Sequence, residues 1–200
     1  SAPTVSNVSI IPNSGVTTGT TLSCVANGSD PDDGVLTPTY DWSVNGASIS
    51  SAATYTVSSS DTNVGDVIVC TATVQDSDGQ TASNSASVTL QNSAPYLNGQ
   101  PILSDSQVEI GDSVTCSVSG SDVDGDTVSL SYQWLDSSDN VLGSSSVYVV
   151  SNLSVGEQIR CGVSITDGTT SGTSMESLTA TVVNSTPTMT TATITPNTGV

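Results

Sequence analysis

The sequence predicts an all-β chain of small sandwiches joined in tandem, and three observations carry that expectation. Hydrophobic residues make up 34% of the 200 residues and fall in short bursts rich in Val, Ile and Thr. The bursts alternate apolar with small polar residues, the period of a half-buried strand, and Ser, Gly, Asn and Asp punctuate them as turns. Landmarks also recur: Cys24, Trp42 and Cys70 return as Cys116, Trp134 and Cys161 at offsets of 92, 92 and 91 residues. That period suits one sandwich per repeat.

In the first repeat the alternation predicts strands over Thr4 to Ile11, Thr20 to Ala26, Tyr40 to Val44, Ala53 to Val57, Val67 to Gln75 and Ser83 to Leu90. In the second it predicts Val114 to Val118, Leu130 to Leu135, Ser146 to Val150, Gln158 to Ile165 and Leu178 to Val183. Turn signals lie at Pro12 to Gly15, Asn45-Gly46, Asp78-Gly79, Asp139-Asn140 and Asp167-Gly168. Joints read as Asn-Ser-Ala-Pro at Asn92 to Pro95 and Asn-Ser-Thr-Pro at Asn184 to Pro187, where proline forbids helix and stiffens a short connection. The expected domains are therefore 1–92 and 93–184. Residues 185–200 are expected to be the first strand of a third repeat or a donor strand for a neighbouring subunit. Ile194, Pro196, Asn197, Gly199 and Val200 match Ile10, Pro12, Asn13, Gly15 and Val16 at twice the period, which favours a slice of a longer array.

Composition narrows the function classes. One Lys or Arg, namely Arg160, stands against 19 Asp and Glu, for a formal net charge of -18. Nucleic acid and anionic membrane need a basic surface and are excluded as partners. With no histidine and no lysine, most acid/base, Schiff-base and phosphate-binding chemistry is excluded too. No apolar run approaches the roughly 20 residues that membrane insertion needs, and Ser1 opens no basic, apolar leader.

The two cysteine pairs are separated by 46 and 45 residues, each with a tryptophan on the strand between. This matches the inter-sheet pin of an immunoglobulin-like sandwich, Cys24 with Cys70 and Cys116 with Cys161. Zinc ligation would need CxxC-type spacing and one shared site, and neither is present. Disulfides imply an oxidising compartment, hence an extracellular or cell-surface location. The chain resembles the tandem Ig-like, PKD-like and cadherin-like repeats of prokaryotic extracellular surface proteins. The likeness is carried by Tyr40-Asp41-Trp42 and Tyr132-Gln133-Trp134, by Val64-Gly65-Asp66 and Val155-Gly156-Glu157 before each second cysteine, and by the Asn/Ser/Pro joints. Ile68 and Ile159 stand where vertebrate immunoglobulin domains carry a corner tyrosine.

Carboxylates cluster in the loops. Asp30, Asp32 and Asp33 occupy one loop and Asp76 and Asp78 another; Asp122, Asp124 and Asp126 with Asp167 repeat the pattern. An Ig-like sandwich places these two loops at the end where the chain enters, so distant acids converge beside the joint. The clusters suit either of two roles. Oxygen-only ligands with alternating spacing fit Ca²⁺, which would stiffen the joints as in the cadherin-like stalks the chain resembles. Alternatively, the acids shape Asx turns and keep the surface soluble.

About a third of the chain is Ser or Thr, which small polar residues on exposed sheet faces explain. Asn7, Asn27, Asn152 and Asn184 also head formal glycosylation sequons. Arg160 precedes Cys161 and is expected to point outward into a salt bridge. The leading function is structural: a calcium-binding glycoprotein fibril, stalk or adhesin extender whose partners are neighbouring repeats or further copies of itself. The alternative is a cell-adhesion module gripping glycans or protein through loops or through Tyr96 and Tyr148. No enzyme is expected, because loop aspartates lack the cleft and aromatic stacking of a glycosidase dyad.

Overall fold

A computed structural model describes residues 1–192, and every regular element among the described residues is a strand. The residues that match the start of a third repeat, Ile194 to Val200, lie outside the described residues. The chain forms two compact units. The first comprises Ser1–Tyr96 together with Gly120–Ser129 and Ile165–Gly172, and the second comprises Leu97–Ser119, Leu130–Ser164 and the described residues from Thr173 onward. The packed units thus partition the chain differently from the sequence repeat, because two acidic loops of the second repeat pack within the first unit.

In the first unit, one sheet is ordered β1 (Thr4–Ile11), β2 (Thr21–Asp30), β3 (Gly34–Leu36), with β6 (Thr54–Thr56) also paired to β2. The other is ordered β5 (Ala47–Ser50), β4 (Thr39–Val44), β7 (Val67–Gln75), β8 (Thr81–Thr89). Strand β7 shows why the alternation holds: Ile68, Cys70, Ala72 and Val74 are at most 1% exposed, while their neighbours face outward. Cys24 on β2 is bridged to Cys70 on β7, with a Cα separation of 6.4 Å, so the bond joins the two sheets. Trp42 lies opposite Cys70 in the β4–β7 ladder and is fully buried. Its indole N–H donates to the Ala52 carbonyl at 2.9 Å, which satisfies the ring's one polar atom. Asn45 and Gly46, with φ of 51° and 83°, form the tight β4–β5 turn whose twist matches the strands.

A two-residue ribbon pairs β9 (Tyr96–Leu97) with β13 (Gly120–Ser121). The second unit repeats the pin. One sheet is ordered β10 (Ile102–Leu103), β12 (Ser113–Ser117), β16 (Val147–Val149). The other is ordered β11 (Gln107–Val108), β19 (Ala180–Val182), β17 (Gln158–Thr166), β14 (Ser129–Asp136), β15 (Val141–Gly143), with β18 (Met175–Glu176) also paired to β17. Cys116 on β12 is bridged to Cys161 on β17. Trp134 is fully buried, donates to the Ser145 carbonyl at 2.8 Å and stacks on Tyr148 at 5.6 Å between centroids.

All eleven expected strands are present with ends shifted by a few residues, and Thr4–Ile11 and Val67–Gln75 match end to end. The additional ones are short or edge strands, such as β3 and β15, too brief to show a period. Ile68 and Ile159, in place of a corner tyrosine, are completely buried. Replacing Cys24 and Cys70 together by alanine is expected to cost about 2 to 5 kcal/mol in chemical denaturation of the first unit. Ile68→Ala should cost a similar amount through the cavity it leaves.

Candidate functional site

Each repeat builds the same pair of acidic turns, and the two oxygens of each inner aspartate are used differently. In the β2–β3 hairpin, Asp30 Oδ1 accepts the backbone N–H groups of Asp32 at 2.7 Å and Asp33 at 3.1 Å. Asp122 Oδ1 likewise accepts the N–H of Asp124 at 2.7 Å. These are Asx turns, in which a carboxylate replaces a backbone acceptor. At the second turn, Asp76 Oδ1 accepts the N–H of Gln80 at 2.7 Å, and Asp167 Oδ1 accepts those of Thr169 and Thr170, both at 2.6 Å.

Asp124 and Asp167 also meet the joint. Ser93 donates its N–H to Asp124 Oδ2 at 2.6 Å and its hydroxyl to Asp124 Oδ1 at 3.2 Å, while Thr18 donates its hydroxyl to the same Oδ1. Asn92 donates from Nδ2 to Asp167 Oδ2 at 2.8 Å and to Thr170 Oγ1 at 3.0 Å. All of these groups belong to the first compact unit. One period earlier, the Ser1 amine donates to Asp32 Oδ2, and the Ser1 hydroxyl lies 3.4 Å from Asp30 Oδ2. Asp33 then ties the two turns together by accepting the N–H and hydroxyl of Ser77, each at 2.9 Å.

Electrostatics follow from these donors. The N–H of Thr170, then the Asn92 amide, hold the Asp167 carboxyl well below the ordinary carboxylate range. The N–H of Asp32 lowers Asp30 in the same way, and the bond to Asp32 raises the Ser1 amine. Among the described residues, two buried carboxylate oxygens are left without a partner, Asp76 Oδ2 and Asp122 Oδ2.

Among the described residues, one group of three acids has ligand oxygens within 4.8 Å of one another: Asp122, Asp124 and Asp126. Its members fit a hard cation, since all three offer oxygen and Asp122 Oδ2 is buried and unpaired. Asp167 lies outside that trio, and Asp30, Asp32, Asp33, Asp76 and the exposed Asp78 form no matching one. Asn7, Asn27, Asn152 and Asn184 are all exposed. Tyr148, expected as a binding aromatic, is instead 9% exposed and stacked on Trp134, whereas Tyr96 is 45% exposed. Arg160 pairs with Glu176 Oε2 at 2.8 Å and with Asp139, and also donates to the Asp136 carbonyl.

The grip of Asn92 and Ser93 is absent from the sequence-based expectations, although the recurring Asn-Ser at both joints is its signal. Gly28 and Gly120, also one period apart, are absent from them too. A Cβ on Gly28 would lie 2.5 Å from Val74 Cγ1, and one on Gly120 would collide with Ile165 Cδ1. Bare glycine lets the strand before each first acidic turn press against the strand leading to the second.

No family model matches the chain, and no curated protein does. Among solved structures it is similar to the insect immune protein hemolin, at 19% identity and a TM-score of 0.51 over 90% of this chain and 46% of that one. It also matches three N-terminal domains of the bacteriophage RB49 highly immunogenic outer capsid protein, at 15% identity and a TM-score of 0.38 over 92% of this chain and 71% of that one. Other neighbours are immunoglobulin, fibronectin(III)-like and cadherin domains, and not enzymes. The chain is an all-β protein of Ig-like sandwiches, each carrying one disulfide. Those bonds mark it as extracellular or secreted.

Because the folded pKa of Asp167 is lowered, its stabilising contribution is complete above the unfolded carboxylate value of about 3.9 and is lost as pH falls through the folded value. The melting-temperature difference between the native chain and Asp167→Asn should therefore be constant above about pH 5 and shrink below about pH 4. Thermal melts across that range measure it. A difference that stays level down to about pH 2 would contradict the assignment.

Proposed function

We propose that the chain is a structural component of an extracellular fibre, stalk or adhesin extender at a prokaryotic cell surface, built from tandem Ig-like repeats. The carrying observation is the pair of acidic turns built twice one period apart, each holding the serine that opens its repeat: Asp32 with Ser1, Asp124 with Ser93. A chain that devotes its acids to holding joints, and whose aromatics lie largely in the core, is suited to transmitting length and load rather than to turnover. Neighbouring repeats and further copies of the chain are its partners. The exposed sequons at Asn7, Asn27, Asn152 and Asn184 are candidate positions for a sugar coat. Electron microscopy of native material should reveal thin beaded rods, with sugars registering as excess intact mass. Isolated globular particles of constant size would overturn the fibre assignment.

Calcium is the second part of the proposal. Asp122, Asp124 and Asp126 would hold the ion, which would neutralise three like charges beside the joint. Calorimetric titration should give a dissociation constant of about 10⁻⁴ to 10⁻³ M, lost in Asp122→Asn. Small-angle scattering should show a larger maximum dimension with calcium than after chelation. An unchanged dimension would eliminate stiffening by the ion.

A further inference from the structure

The two repeats hold the N–H of the entry serine alike, Ser1 on Asp32 and Ser93 on Asp124, but differ at the aspartate of the second turn. Asp167 uses Oδ1 for its own turn and Oδ2 for the Asn92 carboxamide. Asp76, its counterpart 91 residues earlier by the same offset as the second cysteines, uses Oδ1 for its own turn through Gln80, while its Oδ2 is buried without a partner. Asp76 is only 8% exposed, so water does not freely compensate that oxygen, and a buried unpaired acceptor is costly. The Ser1 amine meets Asp32 as the Ser93 N–H meets Asp124, so Ser1 occupies the place in its repeat that Ser93 occupies in the next. A Ser-X-Pro tripeptide comes directly after Asn92 at one joint and after Asn184 at the other, and Ser1-Ala2-Pro3 is that same tripeptide.

We infer that Asp76, with Asp30 and Asp32 beside it, is a socket for an asparagine carboxamide presented one residue ahead of Ser1, the end of an adjoining repeat. The carboxamide Nδ2 donates to Asp76 Oδ2, as Asn92 Nδ2 donates to Asp167 Oδ2. The serine N–H and hydroxyl stay on Asp32 and Asp30. Specificity comes from geometry: a neutral amide supplies a donor without bringing a fourth carboxylate or a bulky cation into the pocket. The inference extends the tandem-array proposal by naming what one repeat holds of its neighbour, yet its test reads a single chain in solution. Failure to see rods by microscopy would leave it standing, and its failure would leave the rods standing.

The experiment compares full chains carrying one extra residue ahead of Ser1, either asparagine or alanine, in calcium-free buffer. The asparagine chain should melt roughly 5 °C or more higher, the size expected for one hydrogen bond to a charged group in a domain this small. The gap should vanish in the Asp76→Asn background, which keeps an oxygen for Gln80 and places a donor against the incoming amide. If Asp76→Asn does not fold, the added carboxamide is read directly by NMR in the unsubstituted chain. Its protons should be as protected from solvent exchange as those of Asn92. Equal melting of the two extended chains, a gap that persists in Asp76→Asn, or freely exchanging carboxamide protons would each overturn the socket. So would calcium raising the alanine chain through Asp76 while asparagine has no effect, because the pocket would then be a cation site.

Discussion

The sulfur bridge between facing sheets, seated beside a buried tryptophan, is the constraint on which everything else rests. The chain has no phenylalanine and two tryptophans, so few side chains are large enough to hold two sheets about 10 Å apart. Cys24–Cys70 and Cys116–Cys161 hold that distance covalently. Trp42 pairs across the ladder with Cys70, and once that pair faces inward, strand alternation commits Ile68, Ala72 and Val74 to the core. A slip of one residue would turn all of them to solvent, which is why the register is well defined despite an otherwise small and polar composition. With the sheets fixed, the loops that join them at the entry end are fixed as well.

At that end a different constraint applies. A chain with a single cationic side chain, engaged with Glu176 and Asp139, cannot neutralise its acids by ion pairing. It satisfies them with N–H and hydroxyl donors instead. In Asp30 and Asp167 one oxygen closes its own turn and the other meets the entering segment, at Ser1 and Asn92. The turn and the grip on the joint are therefore one device, and a carboxylate is suited to it because it has two acceptors and no donor. Gly28 and Gly120 bring the hairpin close enough to the neighbouring strand for the two turns to act together.

Much of this is legible in the residues alone, and the exceptions have physical reasons. The period-two pattern and the twice-repeated Cys/Trp framework reveal the sandwich class, the bridges and the long strands, because inward and outward residues differ in kind there. Short strands such as β3 escape detection because three residues hold no measurable period. Ser177 shows another limit. It stands one offset beyond Ala86, which pairs regularly with Cys70, yet it is a buried serine whose hydroxyl accepts the Cys161 N–H at 3.0 Å where the last strand is interrupted. A serine in a serine-rich strand carries no mark of that role. The acidic loops are legible as clusters, but which oxygen meets which donor depends on χ angles that composition does not encode. Hence sequence reasoning gives no role to Asn92, whose carboxamide meets Asp167.

The neutral grip and the acidic trio meet at Asp124, whose two oxygens accept the donors of Ser93 and Thr18. Neutral donors satisfy the geometry of a carboxylate without cancelling its charge, so the negative potential at the joint persists after Asn92 and Ser93 have bound. Both oxygens of Asp167 are then engaged, and Asp124 meets Ser93 and Thr18. Asp122 Oδ2 remains unpaired, in the same trio as Asp126. Direct hydrogen bonds thereby hold Asn92 and Ser93 against Asp167 and Asp124. The first repeat differs because its unpaired oxygen is on Asp76, at the position where the second repeat seats an amide.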